Sequence, residues 1–262
     1  MANEKRAAEQ RAAIVTGSSS GIGAATARRL ASHGWRVVVN YSKSEDDAKQ
    51  VAAECVRAGG EAIAVRADVT DDAQCRRLAQ AALDQWGRLD ALVNNAGATK
   101  FVPHANLDDL NAEDFQRIYA TNVIGAFQMS RACAPALRKS GRAALVNVSS
   151  LAAFLGTGSS IAYAASKGAV NVLTLSLARV LAPEVRVNAV LPGIVDTPWM
   201  VRGYGEERYA RLSASYRAAA PLNSTCSPDD IAETIAWLIE GAGMVTGETI
   251  FVDAGMHAAT PR

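Results

Sequence analysis

Tyr163 and Lys167 are the two residues whose types and spacing most directly suggest chemistry. They lie four positions apart in Ile161–Leu181, a stretch without proline that is rich in Ala, Leu and Val and is predicted to be helical. Residues i and i+4 share a helix face, so the phenol and the ammonium can be neighbours. A nearby cation favours phenolate and lowers the tyrosine pKa from about 10 toward neutral pH, which suits proton transfer. On its own, such a pair is more typical of a surface tyrosine beside a solvated lysine.

Ser150 supplies a third candidate group. It lies thirteen residues before Tyr163, just after the apolar run Ala143–Val148, which is predicted to be a strand. A hydroxyl group there could polarise the carbonyl group that Tyr163 protonates. A serine hydrolase is a competing interpretation, but the chain lacks the G-x-S-x-G pattern and a plausible histidine partner.

Composition indicates a globular protein without a nucleic-acid or metal function. With 262 residues, 49% of them hydrophobic, one large domain with a substantial core is expected. The net charge of +1 does not favour nucleic acid or an anionic membrane as a partner. The four cysteines lack metal-type or C-x-x-C spacing, which suits a reducing compartment, and the three histidines are dispersed, so no metal site is expected.

The N-terminal segment MANEKRAAEQR is charged and has no apolar core, so it does not fit a secretory signal. We predict a short mobile tail at residues 1–11 and a single dinucleotide-binding catalytic domain at residues 12–262. No apolar run approaches about 18 residues, the length that spans a membrane. A cytoplasmic location is therefore expected.

Strands alternate with helices along the whole chain. The predicted strands are Ala12–Thr16, Trp35–Asn40, Glu61–Arg66, Leu89–Val93, Ala143–Val148, Val185–Val190 and Glu248–Val252. The predicted helices are a stretch ending at Ser32, Ser44–Ala58, Asp71–Trp86, one or two helices in Leu107–Arg138, Ile161–Leu181 and Pro228–Ile239, capped by Ser227. Because several strands are continuously apolar, we predict a parallel α/β sheet covered by helices on both faces.

The distinctive residues follow the strands, where the carboxyl ends of a parallel sheet bind ligands. A glycine turn, Gly17–Gly23, follows the first strand and opens a helix, an arrangement that presents backbone N–H groups to phosphate. Asp68, Asn95–Gly97, Ser150 and Pro192-Gly193 follow four other strands. One such motif is weak, but five at one edge indicate a binding site.

Together these motifs resemble those of the short-chain dehydrogenase/reductase family. The matching residues, in order, are Thr16–Gly23, Asn94–Gly97, Asn122, Ser150, Tyr163-x3-Lys167 and Pro192-Gly193, and the resemblance covers Ala12 to Gly255. Within the family the chain looks most like the 3-oxoacyl-carrier-protein reductase and glucose dehydrogenase-like branch. The loop Pro221–Cys226 departs from the pattern, because it lacks the glycine and arginine that relatives often carry, and the Leu181–Arg186 connection is short.

The resemblance implies a doubly wound, Rossmann-type sheet of about seven strands and an NAD(P)-dependent oxidoreductase. Tyr163 would be the general acid/base, Lys167 would lower its pKa and hold the nicotinamide ribose, and Ser150 would bind the substrate oxygen. Asn122 would place a water that relays protons to Lys167. The implied cofactor-binding residues are Gly17, Ser19, Ser20, Gly21, Ile22, Gly23, Tyr41, Ser42, Lys43, Asp68, Val69, Asn95, Ala96, Gly97, Tyr163, Lys167, Pro192, Gly193, Ile194 and Thr197.

Several of these residues have simpler interpretations. Ser149 competes with Ser150, although the interval to Tyr163 favours Ser150. Asn122 could hydrogen-bond its own helix backbone. Asp68 could be a helix-start acid rather than a partner of the adenine amine, and Asn95 could be a turn residue in the left-handed conformation. A non-catalytic dinucleotide-binding protein on the same fold remains the alternative function.

Cofactor choice depends on the end of the second strand. Enzymes that select NAD usually place an acid there for the ribose 2′-hydroxyl, and the aligned residue here is Tyr41. Ser42 and Lys43 could bind a 2′-phosphate, so NADP is predicted, with NAD as second choice. Lys43 could instead be a solvated loop lysine, and Ser20 stands where many NADP-binding relatives carry a basic residue.

The stretch Thr197–Ala220 is predicted to cover the substrate. It carries the side chains of Trp199, Met200, Tyr204, Tyr209, Tyr216, Arg202, Arg208 and Arg211. The arginines could bind an anionic or phosphopantetheine-bearing carbonyl substrate, or they could form a solvated helix face. Small residues on the Tyr163–Lys167 helix, Ala164, Ala165, Gly168 and Ala169, allow close helix approach. With the family resemblance, they predict a homotetramer, with a dimer as second choice.

Overall fold

Seven parallel strands form one sheet in the order β3-β2-β1-β4-β5-β6-β7, in a computed structural model that describes residues 11–259. The strands are β1 (Ala12–Val15), β2 (Arg36–Tyr41), β3 (Glu61–Arg66), β4 (Ala91–Asn94), β5 (Ala143–Val148), β6 (Val185–Pro192) and β7 (Thr249–Val252). This order confirms the predicted doubly wound sheet. The chain reverses its direction of winding between β1 and β4, which opens a crevice at the carboxyl ends of those strands.

The helices cover both faces of the sheet. They are α1 (Gly21–Ser32), α2 (Glu45–Arg57), α3 (Asp72–Trp86), α4 (Ala112–Tyr119), α5 (Ala126–Ser140), α6 (Ala152–Leu155), α7 (Ile161–Leu181), α8 (Pro198–Tyr204), α9 (Glu206–Ala219) and α10 (Pro228–Glu240). Short 3₁₀ turns occupy Leu107–Asp109 and Met256–Ala258, and a π-helical segment, Ala120–Gly125, joins α4 to α5.

The two faces of the sheet carry separate cores. Leu30, Trp35 and Ile231 pack on one face, where α1, α2 and α10 lie. Leu78 and Met129 pack on the other, where α3, α5 and α7 lie. Because both faces are covered, every residue of β1 and β5 is buried, which explains why these strands are apolar throughout rather than alternating.

The observed and the predicted elements differ mainly in the helical segments that connect the strands. The predicted helical stretch 107–138 is divided by the π-helical segment, and the segment predicted to be irregular to helical at 197–220 forms two helices, α8 and α9. Helix α6 was not predicted. Ser227 caps α10 as predicted, with its hydroxyl accepting from the Asp230 N–H at 3.2 Å.

The start of the chain and helix α7 relate to two predictions, the N-terminal tail and the lack of a segment that could span a membrane. Most of the predicted tail, residues 1–10, lies outside the described residues, whereas Arg11 stacks over the Trp35 ring at 4.3 Å. Helix α7 is long and apolar enough to cross a membrane by composition, contrary to the expectation that no stretch approaches that length. It packs beside the sheet and carries the buried Lys167, and core helices of this kind pass the same test.

Candidate active site

A cleft of about 770 Å³ lies along the carboxyl ends of the strands. It is lined by most of the predicted site residues: Gly17, Ser20, Gly21, Ile22, Ser42, Lys43, Asp68, Val69, Asn95, Ala96, Gly97, Ser150, Tyr163, Lys167, Pro192, Gly193 and Thr197. The structure thus brings together residues that are up to 180 positions apart in the sequence, from Gly17 to Thr197. The volume is in the range of small-molecule and cofactor sites.

The glycine turn after β1 leaves no space for a side chain at Gly17 or at Gly23. A Cβ atom on Gly23 would lie 2.5 Å from Asn95 Nδ2 and 2.7 Å from the Gly17 carbonyl oxygen. Gly17 itself has a φ of +60°, and a Cβ there would lie 2.9 Å from the Ala96 backbone. The turn is therefore a backbone-lined cradle that only glycine permits at these two positions.

Polar side chains of Asn95 and Asn40 form hydrogen bonds with the backbone of this turn. Asn95 Nδ2 donates to the carbonyl oxygens of Thr16 and Gly17 at 2.9 and 3.0 Å, and Asn40 Oδ1 accepts from the Gly17 N–H at 3.0 Å. Asn95 does not have the left-handed conformation that we considered, since Asn223 and Ala254 are the non-glycine residues of positive φ in residues 11–259. Asn95 therefore links the end of β4 to the glycine turn after β1, and it also lines the cleft.

The start of α1 fits the phosphates of a dinucleotide. Ser20 occupies the N-cap position, yet its side chain makes no capping hydrogen bond, whereas Asp71 and Ser227 do cap α3 and α10. The first N–H groups of α1 consequently remain available at the cleft, where Ser20, Gly21 and Ile22 are exposed or partly exposed. Free N–H groups together with the helix dipole form an anion site.

Ser150 and Tyr163 meet in the cleft. Both side chains line the cleft and are half-buried, and the Ser150 hydroxyl is close enough to the phenol to lower the Tyr163 pKa. Ser149 has a different position: it is 3% exposed, and its hydroxyl donates to the Lys167 carbonyl oxygen at 3.1 Å. Of the two serines, Ser150 is the one beside the tyrosine.

Lys167 is buried at the junction of β5 and α7. Its side chain is 4% exposed and its Nζ donates to the Val148 carbonyl oxygen at 2.7 Å, while lying 5.6 Å from the centre of the Tyr163 ring. Burial disfavours the charged ammonium and lowers the pKa of Lys167 to about 8.

The pKa of Tyr163 shifts opposite to our expectation. Burial raises it to about 12, and the hydrogen bond with Ser150 offsets only part of that shift. The spacing argument predicted a lowered pKa, because it considered the neighbouring cation but not the loss of water around the phenol. At neutral pH Tyr163 is therefore a protonated donor in this structure.

Asn122 lies in the π-helical segment, a type of irregularity that is frequent at functional sites. Its Oδ1 accepts from the Ala98 N–H at 2.7 Å, and its Nδ2 donates to the Ala98 carbonyl oxygen and to Ser166 Oγ at 3.0 and 2.9 Å. These three hydrogen bonds go to a neighbouring loop and to α7, and none of them goes to the backbone of its own helix. A Cβ atom on Gly97 would lie 3.6 Å from Asn122 Oδ1 and 4.0 Å from Lys167 Nζ, so both groups approach the same point.

At the end of β2, Tyr41 does not occupy the position that was predicted for it at the cofactor. Tyr41 is 8% exposed and packs into the core, so its side chain does not line the cleft. Ser42 and Lys43 are exposed and do line it, and Arg66 joins them by donating from Nε to the Ser42 carbonyl oxygen at 3.3 Å. Asp68 Oδ1 accepts from the N–H and hydroxyl of Thr70, while Asp71 caps the helix that follows.

Comparisons with known proteins match this chain along nearly its whole length. A sequence profile described as Enoyl-(Acyl carrier protein) reductase matches residues 17–257. A 3-oxoacyl-[acyl-carrier-protein] reductase from Synechocystis is 37% identical over 93% of this chain and 96% of its own length. A crystal structure assigned as a short-chain dehydrogenase/reductase from Burkholderia xenovorans superposes with a TM-score of 0.89 at 43% identity, covering 95% and 99% of the two chains.

The chain belongs to the short-chain dehydrogenases/reductases.

Further relatives of this family carry different substrate names. A candidate ketoacyl reductase of granaticin polyketide synthase from Streptomyces violaceoruber is 44% identical over 96% of this chain and 98% of its own length. Glucose 1-dehydrogenase 2 from Bacillus subtilis is 35% identical over 93% of each chain. As a short-chain dehydrogenase/reductase, the protein is an oxidoreductase that acts on CH–OH or C=O groups with a nicotinamide cofactor.

Some predicted residues of this short-chain dehydrogenase/reductase do not line the cleft. They are Ser19, Gly23, Tyr41, Asn122 and Ile194. Gly23 and Asn122 lie directly behind the lining, and Ile194 packs near Tyr216 in a small separate core. Thr16 and Ser18 entered the sequence analysis only as part of the motif Thr16–Gly23, without a supporting role, and Asn40 was missed because its only signal is a polar side chain near the end of an apolar strand.

In the stretch Thr197–Ala220, which was predicted to cover the substrate, some residues line the cleft and others have a structural role. Trp199, Met200 and Arg202 line the cleft. Tyr216 is buried and donates to the Asp253 carbonyl oxygen at 2.7 Å, and Tyr209 donates to Asp196. These two tyrosines therefore hold the cover in place.

The loop Pro221–Cys226 lacks the glycine that relatives often carry, and the backbone conformation of Asn223 explains how it forms a turn without it. Asn223 has a φ of +52°, so it takes the left-handed conformation that a glycine would otherwise supply. Asparagine tolerates this conformation better than most residues, and the loop keeps its turn without glycine.

Proposed function

We propose that the protein reduces a ketone, such as a 3-oxoacyl compound, by transfer of hydride from NADPH with Tyr163 as the proton donor. The single observation that carries this is the placement of Ser150 and Tyr163 in the same cleft as the glycine cradle and the free N-terminus of α1. The cradle provides the space and the N–H groups that a dinucleotide requires. The pair provides two donors for one carbonyl oxygen.

When bound, the nicotinamide supplies the hydride. The residues of the chain then handle the charge that develops on the carbonyl oxygen. Ser150 donates a hydrogen bond to that oxygen, and Tyr163 gives it a proton. The Lys167 ammonium, placed 5.6 Å from the phenol ring centre, stabilises the phenolate that forms. Asn122 holds the Ala98 backbone and α7 and orients a water that returns the proton toward Lys167.

The raised pKa of Tyr163 supports reduction as the favoured direction near neutral pH. With a pKa of about 12, the phenol retains its proton and can act as an acid. Oxidation of an alcohol needs the phenolate, whose fraction is small at pH 7 and increases with pH. The oxidation rate should therefore increase with pH, whereas the reduction rate should be highest near neutral pH.

The preference for NADP(H) over NAD(H) is supported by the end of β2. Ser42, Lys43 and Arg66 gather at this corner, and no acid occupies position 41. A charge-assisted hydrogen bond to a 2′-phosphate contributes about 1.5–3 kcal/mol, or roughly tenfold to a hundredfold in affinity. Lys43→Ala should raise KM for NADPH by this factor and leave KM for NADH unchanged. Lys49, an exposed lysine paired with Glu45, is the matched control.

The assignment of Tyr163 is tested by Tyr163→Phe, which removes the transferable proton and keeps the ring. General acid catalysis contributes about 10²–10⁴ in rate, so turnover of a verified ketone should fall by at least a hundredfold. NADPH binding, measured by cofactor fluorescence, should be retained. Activity above a few per cent of the unmodified protein shows that another group donates the proton. Loss of NADPH binding shows that the variant is misfolded or that Tyr163 is needed for the cofactor site.

We also propose a homotetramer in the cytoplasm. Apolar side chains on the π-helical segment, α5 and α7 are exposed, including Ile124 (51%), Phe127 (42%) and Val172 (66%), next to the small residues of α7. Burial of these side chains between copies would remove apolar surface from water. Sedimentation at micromolar concentration should give four chains per particle. A monomer would contradict the proposal.

A further inference from the structure

A second cavity of about 310 Å³ lies beside Tyr163, outside the cleft described above. Its lining comes from the segment after β4, from the loop before α7 and from the cover helices. The lining residues are Phe101, Val102, Pro103, His104, Gly158, Ser159, Tyr204, Arg208 and Leu212. Its volume is about twice that of a cavity of 150 Å³ that holds benzene, so it has space for a ring larger than one phenyl group.

Gly158 connects the cavity to the reactive tyrosine. It lines the cavity, and a Cβ atom on it would lie 3.8 Å from Tyr163 Cδ1. Gly158, which has no side chain, therefore lies between the cavity and the edge of the phenol ring, whereas Tyr163 itself lines the cofactor cleft.

Aromatic rings form the wall between the cavity and the cofactor cleft. The Phe101 ring centre lies 5.3 Å from that of Trp199 and 4.7 Å from that of Tyr204, and Trp199 lies 6.2 Å from Tyr163. Gly203 permits this packing, because a Cβ atom there would overlap the Phe101 ring. The wall is apolar and fixed by ring–ring contacts, which suits a flat or cyclic carbon skeleton.

Two nitrogen-bearing side chains of the cavity, Arg208 and His104, can donate hydrogen bonds to a ligand. Arg208 lies over the Tyr204 ring at 5.2 Å, and no carboxylate of residues 11–259 lies within salt-bridge distance of it. Arg211, one turn further along α9, is paired with Glu207 at 2.7 Å. His104 Nε2 is shielded from solvent and has no hydrogen-bond partner in the described part of the chain. A buried nitrogen in that state gains from an acceptor.

We propose that this cavity is a subsite for the remote end of the substrate, which is a cyclic, apolar ketone bearing a carboxylate that pairs with Arg208. The proposal rests on the function proposed above and specifies its substrate class. The aromatic wall binds the carbon skeleton, and Arg208 binds the carboxylate, with His104 as a second donor when its Nε2 carries a proton. Arg211 has no part in it, because its charge is already paired on the surface.

The test uses two compounds that differ only in charge, 4-(4-oxocyclohexyl)benzoate and its methyl ester. Arg208→Gln should raise KM for the acid about tenfold or more and leave KM for the ester unchanged, because only the charge-assisted bond is lost. Arg211→Gln, the matched control on the same helix, should change neither value. An equal effect of Arg208→Gln on both compounds, or no effect on either, overturns the proposal.

A binding measurement separates this inference from the proposed reaction. The ligand is 4-cyclohexylbenzoate, which has no ketone, and calorimetry with the NADP-loaded protein gives its affinity. Arg208→Gln should weaken its binding about tenfold, and Leu212→Trp, which fills the cavity, should abolish it while cyclohexanone is still reduced. If the protein reduces no ketone but both variants weaken the binding of 4-cyclohexylbenzoate as expected, the proposed reaction is wrong and the subsite stands. If the unmodified protein does not bind the ligand, the subsite is wrong.

Discussion

Raising the pH should inactivate reduction through Lys167 before it affects Tyr163. Burial lowers the pKa of this lysine from 10.5 to about 8, whereas the pKa of Tyr163 is about 12. The proton on Lys167 is therefore lost first, and with it the charge that stabilises the phenolate formed in the reaction.

The magnitude follows from the fraction of protonated lysine. With a pKa of about 8, roughly half of the molecules keep the charge at pH 8 and about a tenth at pH 9, so kcat should decline about fivefold between pH 8 and pH 9 and about tenfold per pH unit above pH 9. Lys167→Arg keeps its charge at these pH values, because the guanidinium pKa exceeds 12, and its activity, although lower, should not decline in this range.

The assay is the initial rate of NADPH oxidation with a verified ketone from pH 6 to pH 10. Deuterated NADPH should slow the rate, which establishes that hydride transfer limits it. A rate that stays constant or increases from pH 7 to pH 10 in the unmodified protein would refute the argument. So would an identical decline in Lys167→Arg, since another group would then be responsible.

Two further changes test the supports of the cleft. Gly23→Ala places a methyl group 2.5 Å from Asn95 Nδ2, and overpacking of this kind costs about 1–3 kcal/mol, so NADPH affinity should fall roughly fivefold to a hundredfold in fluorescence titration. Asp196→Ala removes the acceptor of Tyr209 and of Arg217, whose Nη2 donates to Asp196 Oδ2 at 3.3 Å. These groups are partly exposed, so a loss of about 1 kcal/mol and about fivefold faster hydrogen exchange across α9 are expected.

Each of these changes has a control in the chain. A methyl group on Gly243 meets no atom within 4 Å, so Gly243→Ala should leave NADPH affinity unchanged. If Gly23→Ala and Gly243→Ala lowered the NADPH affinity equally, the packing argument would be wrong. Tyr209→Phe should reproduce part of the faster exchange seen in Asp196→Ala. If exchange in α9 is unaltered in both variants, these hydrogen bonds do not hold the cover.

The arrangement of elements could be predicted from sequence because its signals are local. An apolar run such as Ala143–Val148 is buried on both faces only in a covered parallel sheet, and the residues after each strand meet at one edge once the strands are parallel. The four-residue spacing of Tyr163 and Lys167 likewise places both on one helix face. These conclusions depend on backbone geometry, which repeats regularly along the chain.

Side-chain environment could not be predicted in this way. Tyr41 ends β2 at the position expected to face the cofactor, yet its ring packs in the core beneath α2. Arg208 and Arg211 look alike in the sequence, but one lines a cavity and the other pairs with Glu207. Each outcome depends on residues far away in the chain that happen to pack beside the side chain.

The sequence by itself determined the α/β fold, the glycine turn and the identity of the acid, the amine and the hydroxyl that could act on a carbonyl group. Only the tertiary structure decided their protonation. Tyr163 has a raised pKa and Lys167 a lowered one because the packed chain removes water from both groups. Spacing specifies which charges are near each other, whereas the free energy of a charge depends on its whole surroundings, and these exist only after the chain has folded.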